Sequence, residues 1–81
     1  MTEQNHEITI SVNGRPVVVL GPRITGRQIK QRAIDQGVPI GLDFILSEEL
    51  GDRRTRVIGD EEEVTVNKTS KFIAVAPDDN S

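Results

Sequence analysis

From Glu7 onward the chain alternates strictly between apolar and polar positions, with Ile8, Ile10 and Val12 on one side and Thr9 and Ser11 on the other. A period of two predicts a half-buried strand. Asn13-Gly14 follows at once, and both residues tolerate the positive φ of a type I′ turn, so a hairpin is expected here. A tight loop at Asn13-Gly14 sets Val12 against Arg15, Ile10 against Val17 and Ile8 against Val19, and Pro16 then falls opposite Ser11. Its missing N–H is harmless only on an edge strand, so the second strand is predicted to lie at the edge of a sheet.

Gly21-Pro22 closes that strand, and the pattern changes period. Thr25 followed by Gln28 reads as a capping box, and Ile24 can staple onto Ile29. The helix is predicted to run to about Gln36. Ile29, Ala33 and Ile34 are expected to face the sheet, and Arg27, Lys30, Gln31 and Asp35 to face water. Gly37 suits the left-handed position beyond the helix, Val38 is its apolar partner, and Pro39 prevents continuation.

Later elements are shorter. Leu42 to Leu46 reads as a third strand with Leu42, Phe44 and Leu46 on one face, Gly51-Asp52 as a turn, Thr55 to Ile58 as a short strand and Gly59-Asp60 as another turn. Val64 to Val66 is either a brief extended piece or part of a loop. Phe72 to Ala76 is expected to be a central strand beside the first. Strand, Asn-Gly turn, strand, helix, strands is the element order of a β-grasp domain, which predicts an α+β fold with a mixed sheet of four to five strands packed on one helix. Residues 1–6 read as a flexible arm, 7–76 as the domain and 77–81 as a flexible tail, with no internal repeat.

Composition narrows the function classes. The chain has 81 residues, 35% of them hydrophobic, with two phenylalanines as its aromatics, so a single thin core must be built from Ile, Val and Leu. There is no cysteine, which removes disulfides, a thiol nucleophile and thiolate metal sites together. The net charge of −3 argues against general nucleic-acid binding. Without an apolar signal region in Met1 to Glu7, or a long apolar run, the expected setting is the cytoplasm, off the membrane.

Candidate chemistry is sparse. Asp60-Glu61-Glu62-Glu63 is the densest carboxylate run, but it lacks the alternate ligand spacing of a calcium loop and reads as a solvated turn. His6 is the only histidine. It lies in the arm with no nucleophile to serve, so no catalytic residue, metal site or cofactor is expected. Gly21 to Gly26 precedes a helix but lacks the lysine and spacing of a phosphate loop. Arg27 and Lys30 share a helix face that could dock an acidic partner. If Phe44 and Phe72 point inward, Val18, Ile45, Ile73 and Val75 point outward and form an apolar patch that a partner could cover.

The segments Ile8-Thr9-Ile10-Ser11-Val12-Asn13-Gly14 and Ile24-Thr25-Gly26-Arg27-Gln28-Ile29, with the late Phe72 strand, resemble the small bacterial ubiquitin-like proteins called multiubiquitin domains. The resemblance covers about residues 7 to 76. It implies a ubiquitin-like protein modifier that supplies no catalytic group of its own. Its C-terminal carboxylate would be adenylated by an activating-like enzyme and passed through a thioester, by a conjugating-like enzyme, to target proteins. A processing peptidase would be a further partner, and the modifier itself would be a monomer. Ubiquitin-like modifiers end in Gly-Gly; here the conjugation tail would be Asp78, Asp79, Asn80 and Ser81. Either the enzymes accept this tail, or a peptidase removes Ser81 to expose Asn80, or the chain is never conjugated. The alternative function is a noncovalent β-grasp interaction domain that docks by its sheet face. A sulfur carrier, which forms a thiocarboxylate on a terminal glycine, fits less well.

Overall fold

The alternation of Ile8, Ile10 and Val12 is realised as β1 (His6–Val12), and the Asn13-Gly14 turn returns the chain into β2 (Arg15–Gly21). The structure is a computed structural model and describes residues 6–77. Asn13 and Gly14 have φ of 54° and 79°, as a type I′ turn requires. The register is the expected one: Val12 opposite Arg15, Ile10 opposite Val17, Ile8 opposite Val19 and Pro16 opposite Ser11. His6, expected in the arm, is the first residue of β1.

The chain continues through β3 (Arg23–Thr25) into α1 (Gly26–Asp35). Thr25 caps the helix: its hydroxyl accepts from the Gln28 N–H at 3.2 Å, while the Gln28 carboxamide accepts from the Thr25 N–H at 3.0 Å. At the other end Gly37 has φ of 94°. The Val38 N–H donates to the Ala33 carbonyl at 2.9 Å and the Gly37 N–H to Ile34 at 3.1 Å, which is the Schellman closure. The remaining strands are β4 (Ile45–Glu49), β5 (Thr55–Ile58), β6 (Glu63–Thr65) and β7 (Lys71–Val75).

Five strands form one sheet in the order β2-β1-β7-β4-β5, and β3 pairs with β6 in a small second sheet. β7 runs parallel to β1 and antiparallel to β4, so the late strand is central and β2 is an edge. One helix on a five-stranded mixed sheet is the ubiquitin-like β-grasp arrangement. The core lies between them and is aliphatic apart from Phe72: Ile10, Val12, Val17, Val19, Ile29 and Leu46 are all within 2% of full burial. Each such side chain contributes about 1.5–3 kcal/mol.

Three expectations are corrected and one open alternative is decided. Lys30, assigned to the solvent face, is only 3% exposed. The third strand begins at Ile45 rather than Leu42, because residues 41–44 curl round the Lys30 ammonium instead of extending. Its Nζ donates to the carbonyls of Leu42 at 2.7 Å and Phe44 at 2.8 Å. Ile24 and Thr25, read as the staple and cap of the helix, also pair, with Arg23, as β3. The ambiguous piece near Val64 is a strand, with Val64 opposite Ile24 and both buried.

Asn13 does more than turn the chain. Its N–H donates to the Phe72 carbonyl at 3.0 Å, its Oδ1 accepts from the Ala74 N–H at 2.8 Å, and its Nδ2 donates to the Ala74 carbonyl at 3.0 Å. The side-chain amide thus prolongs the β1–β7 ladder past the end of β1. Asn13→Gly keeps the positive φ and loses only the amide, and is expected to cost about 1–2 kcal/mol. Asn13→Ala adds the left-handed penalty and is expected to cost about 1 kcal/mol more. Urea denaturation of both variants measures the two parts separately.

Candidate partner-binding face

Period-two alternation in β4, β5 and β7 sends Leu46, Ile58, Phe72 and Ala74 into the core and their neighbours to the open side of the sheet. Ile45 stands opposite Val75, and Ser47 lies between Ile73 and Val57. Ile45, Val57 and Val75 are 43%, 62% and 50% exposed, and Ile73 is half-buried beside them. These four aliphatic side chains occupy adjoining positions on adjoining strands, which makes them one patch.

Of the four residues expected in the patch, the fold brings Ile45, Ile73 and Val75 together and leaves Val18 apart. Val18 sits on β2 opposite Thr9, separated from β7 by the polar side chains of β1. It pairs instead with Leu20, also exposed, on the same strand face. Val57, not among the expected residues, also belongs to the patch. The signal for it is the parity of Thr55 to Ile58: once Ile58 is inward, Val57 must be outward. The expected conjugation tail, Asp78, Asp79, Asn80 and Ser81, lies outside the described residues. Its departure point does not: Val75 is both the last residue of β7 and a member of the patch, and Ala76 and Pro77 follow it exposed.

The carboxylate run divides into distinct contacts. Asp60 Oδ1 lies 2.6 Å from Lys30 Nζ, so with Leu42 and Phe44 the buried ammonium has three oxygen partners. The Gly26 and Arg27 N–H groups at the start of α1 donate to the carbonyls of Glu62 and Asp60, each at 3.0 Å. Placing acidic residues at this helix end also suits its dipole. Glu62 accepts from Arg56 at 2.6 Å, and Glu63 lies 4.0 Å from Arg23. Burial of Lys30 means that it does not share an exposed basic face with Arg27. Among the described residues no group of three or more His, Asp or Glu side chains is arranged to hold a metal ion, and no helix is long and apolar enough to cross a membrane.

The Arg56 guanidinium, and after it the Gly59 N–H, hold the Glu62 carboxyl below the usual carboxylate range, while Glu62 raises Arg56 further. A lowered folded-state pKa stabilises the fold above the unfolded value, and that contribution is lost as pH falls through the folded value. Wild type is therefore expected to exceed Glu62→Gln in stability at neutral pH, and the difference is expected to shrink as pH falls from neutral through the ordinary glutamate value of about 4.3. Urea midpoints across that interval check the sign.

A family model described as multiubiquitin matches residues 8–78. No curated protein and no solved structure matches the chain.

Proposed function

The chain belongs to the multiubiquitin family, and on that premise we propose that it is a ubiquitin-like protein modifier. Its C-terminal carboxylate is activated by an activating-like enzyme and transferred by a conjugating-like enzyme, with a processing peptidase and target proteins as further partners. The observation that carries this reading is the position of Val75. The chain leaves the central strand at the rim of the apolar patch, so an enzyme gripping Ile45, Val57, Ile73 and Val75 sits beside the segment it must draw into its active site. A rigid grip next to the reacting end raises the local concentration of that end. The modifier then contributes recognition, and the partner enzymes contribute the catalytic groups.

The patch also favours a second reading, a noncovalent interaction domain, because a docking surface of this kind works without any reaction at the tail. An ATP-dependent transfer assay separates the two. Chains ending at Ser81, Asn80 and Asp78 are incubated with the activating and conjugating enzymes. A thioester or heavier adduct from one of the longer chains, lost at Asp78, is the expected result. Adduct formed by the chain ending at Asn80 alone would make removal of Ser81 a required step. No adduct from any of the three, with enzymes active on another substrate, selects the noncovalent domain.

A further inference from the structure

The two edges of the five-stranded sheet are treated differently. On β2, the positions whose backbone groups face away from β1 are Pro16, Val18 and Leu20. Pro16 has no N–H. Both backbone groups of Val18 are occupied by the Gln36 carboxamide at the end of α1: Oε1 accepts from the Val18 N–H at 2.8 Å, and Nε2 donates to the Val18 carbonyl at 2.7 Å. That edge is closed to a further strand over most of its length.

β5, at the opposite edge, has no such cover. The Leu50 N–H donates to the Arg54 carbonyl at 2.8 Å, and antiparallel ladders alternate. Arg56 and Ile58 therefore exchange bonds with Glu48 and Leu46, while the N–H and C=O groups of Thr55 and Val57 point outward. No other strand lies beyond them among the described residues. The strand holds no proline or lysine, and its one charge, Arg56, is tied back to Glu62 and Glu48. Of the usual protections of an edge, only shortness remains.

The sequence round β5 is self-complementary. Arg53-Arg54 precedes the strand, and Asp60-Glu61 follows it after Gly59. Arg53 and Glu61 have no hydrogen-bond or ion-pair partner among the described residues. We propose that β5 is a homotypic pairing site, at which two copies of the chain join β5 to β5, antiparallel about a two-fold axis at Arg56. In that register Thr55 of each copy exchanges both backbone bonds with Val57 of the other, which satisfies every outward group. The Arg53 turn of each copy comes to lie beside the Asp60-Glu61 turn of the other. The five-stranded sheets become continuous, with each Val57 beside Thr55 of the second copy on the open face. Arg56 meets its own symmetry mate, but each is already neutralised by two carboxylates. Edge pairing over so short a strand buries little surface, so the association is weak, with Kd on the order of 0.1–1 mM. This site is independent of any reaction at the C-terminus.

The test is a concentration series of the isotope-labelled full chain followed by NMR and translational diffusion. With rising concentration the Thr55 and Val57 amides should shift and gain protection from exchange, diffusion should slow towards that of a dimer, and the Leu20 amide should stay unchanged. Arg53→Glu should weaken association about tenfold, and Arg53→Glu with Glu61→Arg should restore it. Both positions are exposed on turns, so the fold is retained. Val57→Pro, which removes an outward N–H that β4 does not use, should abolish dimer formation over the same range. A chain that stays monomeric throughout, or that associates with shifts at Ile45, Ile73 and Val75 but none at Thr55 and Val57, overturns the proposal. Failure of the double charge reversal to restore pairing overturns the two-fold register.

Discussion

Replacing Lys30 with methionine is expected to lower the unfolding free energy by about 2–4 kcal/mol, a large part of what a domain of this size possesses. Methionine fills a similar volume and suits a helix, so neither packing nor propensity accounts for such a loss. The ammonium does. It is 3% exposed and joins three segments of chain: α1, the curl at Leu42 to Phe44, and the turn carrying Asp60. Removing it leaves two backbone carbonyls and a carboxylate that were arranged round a charge. Asp60→Asn retains the ammonium and both carbonyl bonds, and the Asp60 side chain is half exposed, so it should cost about 1 kcal/mol. Urea denaturation gives both values; equal losses, or a Lys30→Met loss below about 1 kcal/mol, would show that the carbonyls do not depend on Lys30. The same burial makes Lys30 the slowest lysine to react in reductive methylation, behind Lys68 and Lys71, which mass spectrometry can follow.

The second large effect has a sign opposite to helix propensity. Gly26→Ala, at the first position of α1, would ordinarily stabilise by up to about 1 kcal/mol. Here it is expected to destabilise by about 1–3 kcal/mol. A Cβ on Gly26 would collide with the backbone carbonyl oxygen of Gly59 and come within 3.1 Å of both the Gly59 carbonyl carbon and Ile58 Cγ2. Backbone cannot swing aside as a side chain can. The Gly59 turn is also held where it is by the Gly26 and Arg27 N–H groups. Loosening that turn should weaken the grip of Asp60 on Lys30, so Gly26→Ala and Lys30→Met are expected to be less than additive. A thermal melt in which Gly26→Ala matches or exceeds wild type would show that the close approach is not rigid.

Much of the fold could be read from the chain because its strongest signals are local. The hairpin register follows from alternation and Asn13-Gly14, the helix from the Thr25 and Gln28 box and from Gly37, and the edge position of β2 from Pro16. Lys30 departs from its expected solvent-facing position, which rests on the ordinary exposure of charged residues. Yet its spacing from Gly26 and Ala33 places it on the buried stripe of α1, a signal that was present. The patch was legible in three of its members, Ile45, Ile73 and Val75. Val57 needed the pairing of β5 with β4, and the exclusion of Val18 needed the order of the strands.

What the sequence by itself determined is the hairpin with its inward face and the helix with its two ends: period, turn chemistry and capping act over a few residues and are written into consecutive positions. What only the tertiary structure decided is how elements beyond the hairpin meet. The Lys30 cradle, the amide of Asn13 against Ala74, the pairing of β3 with β6, the Gln36 cover on one sheet edge and the bare edge of β5 all join residues distant along the chain. Such contacts depend on which backbone groups remain unpaired after the sheet closes, and local pattern does not contain that.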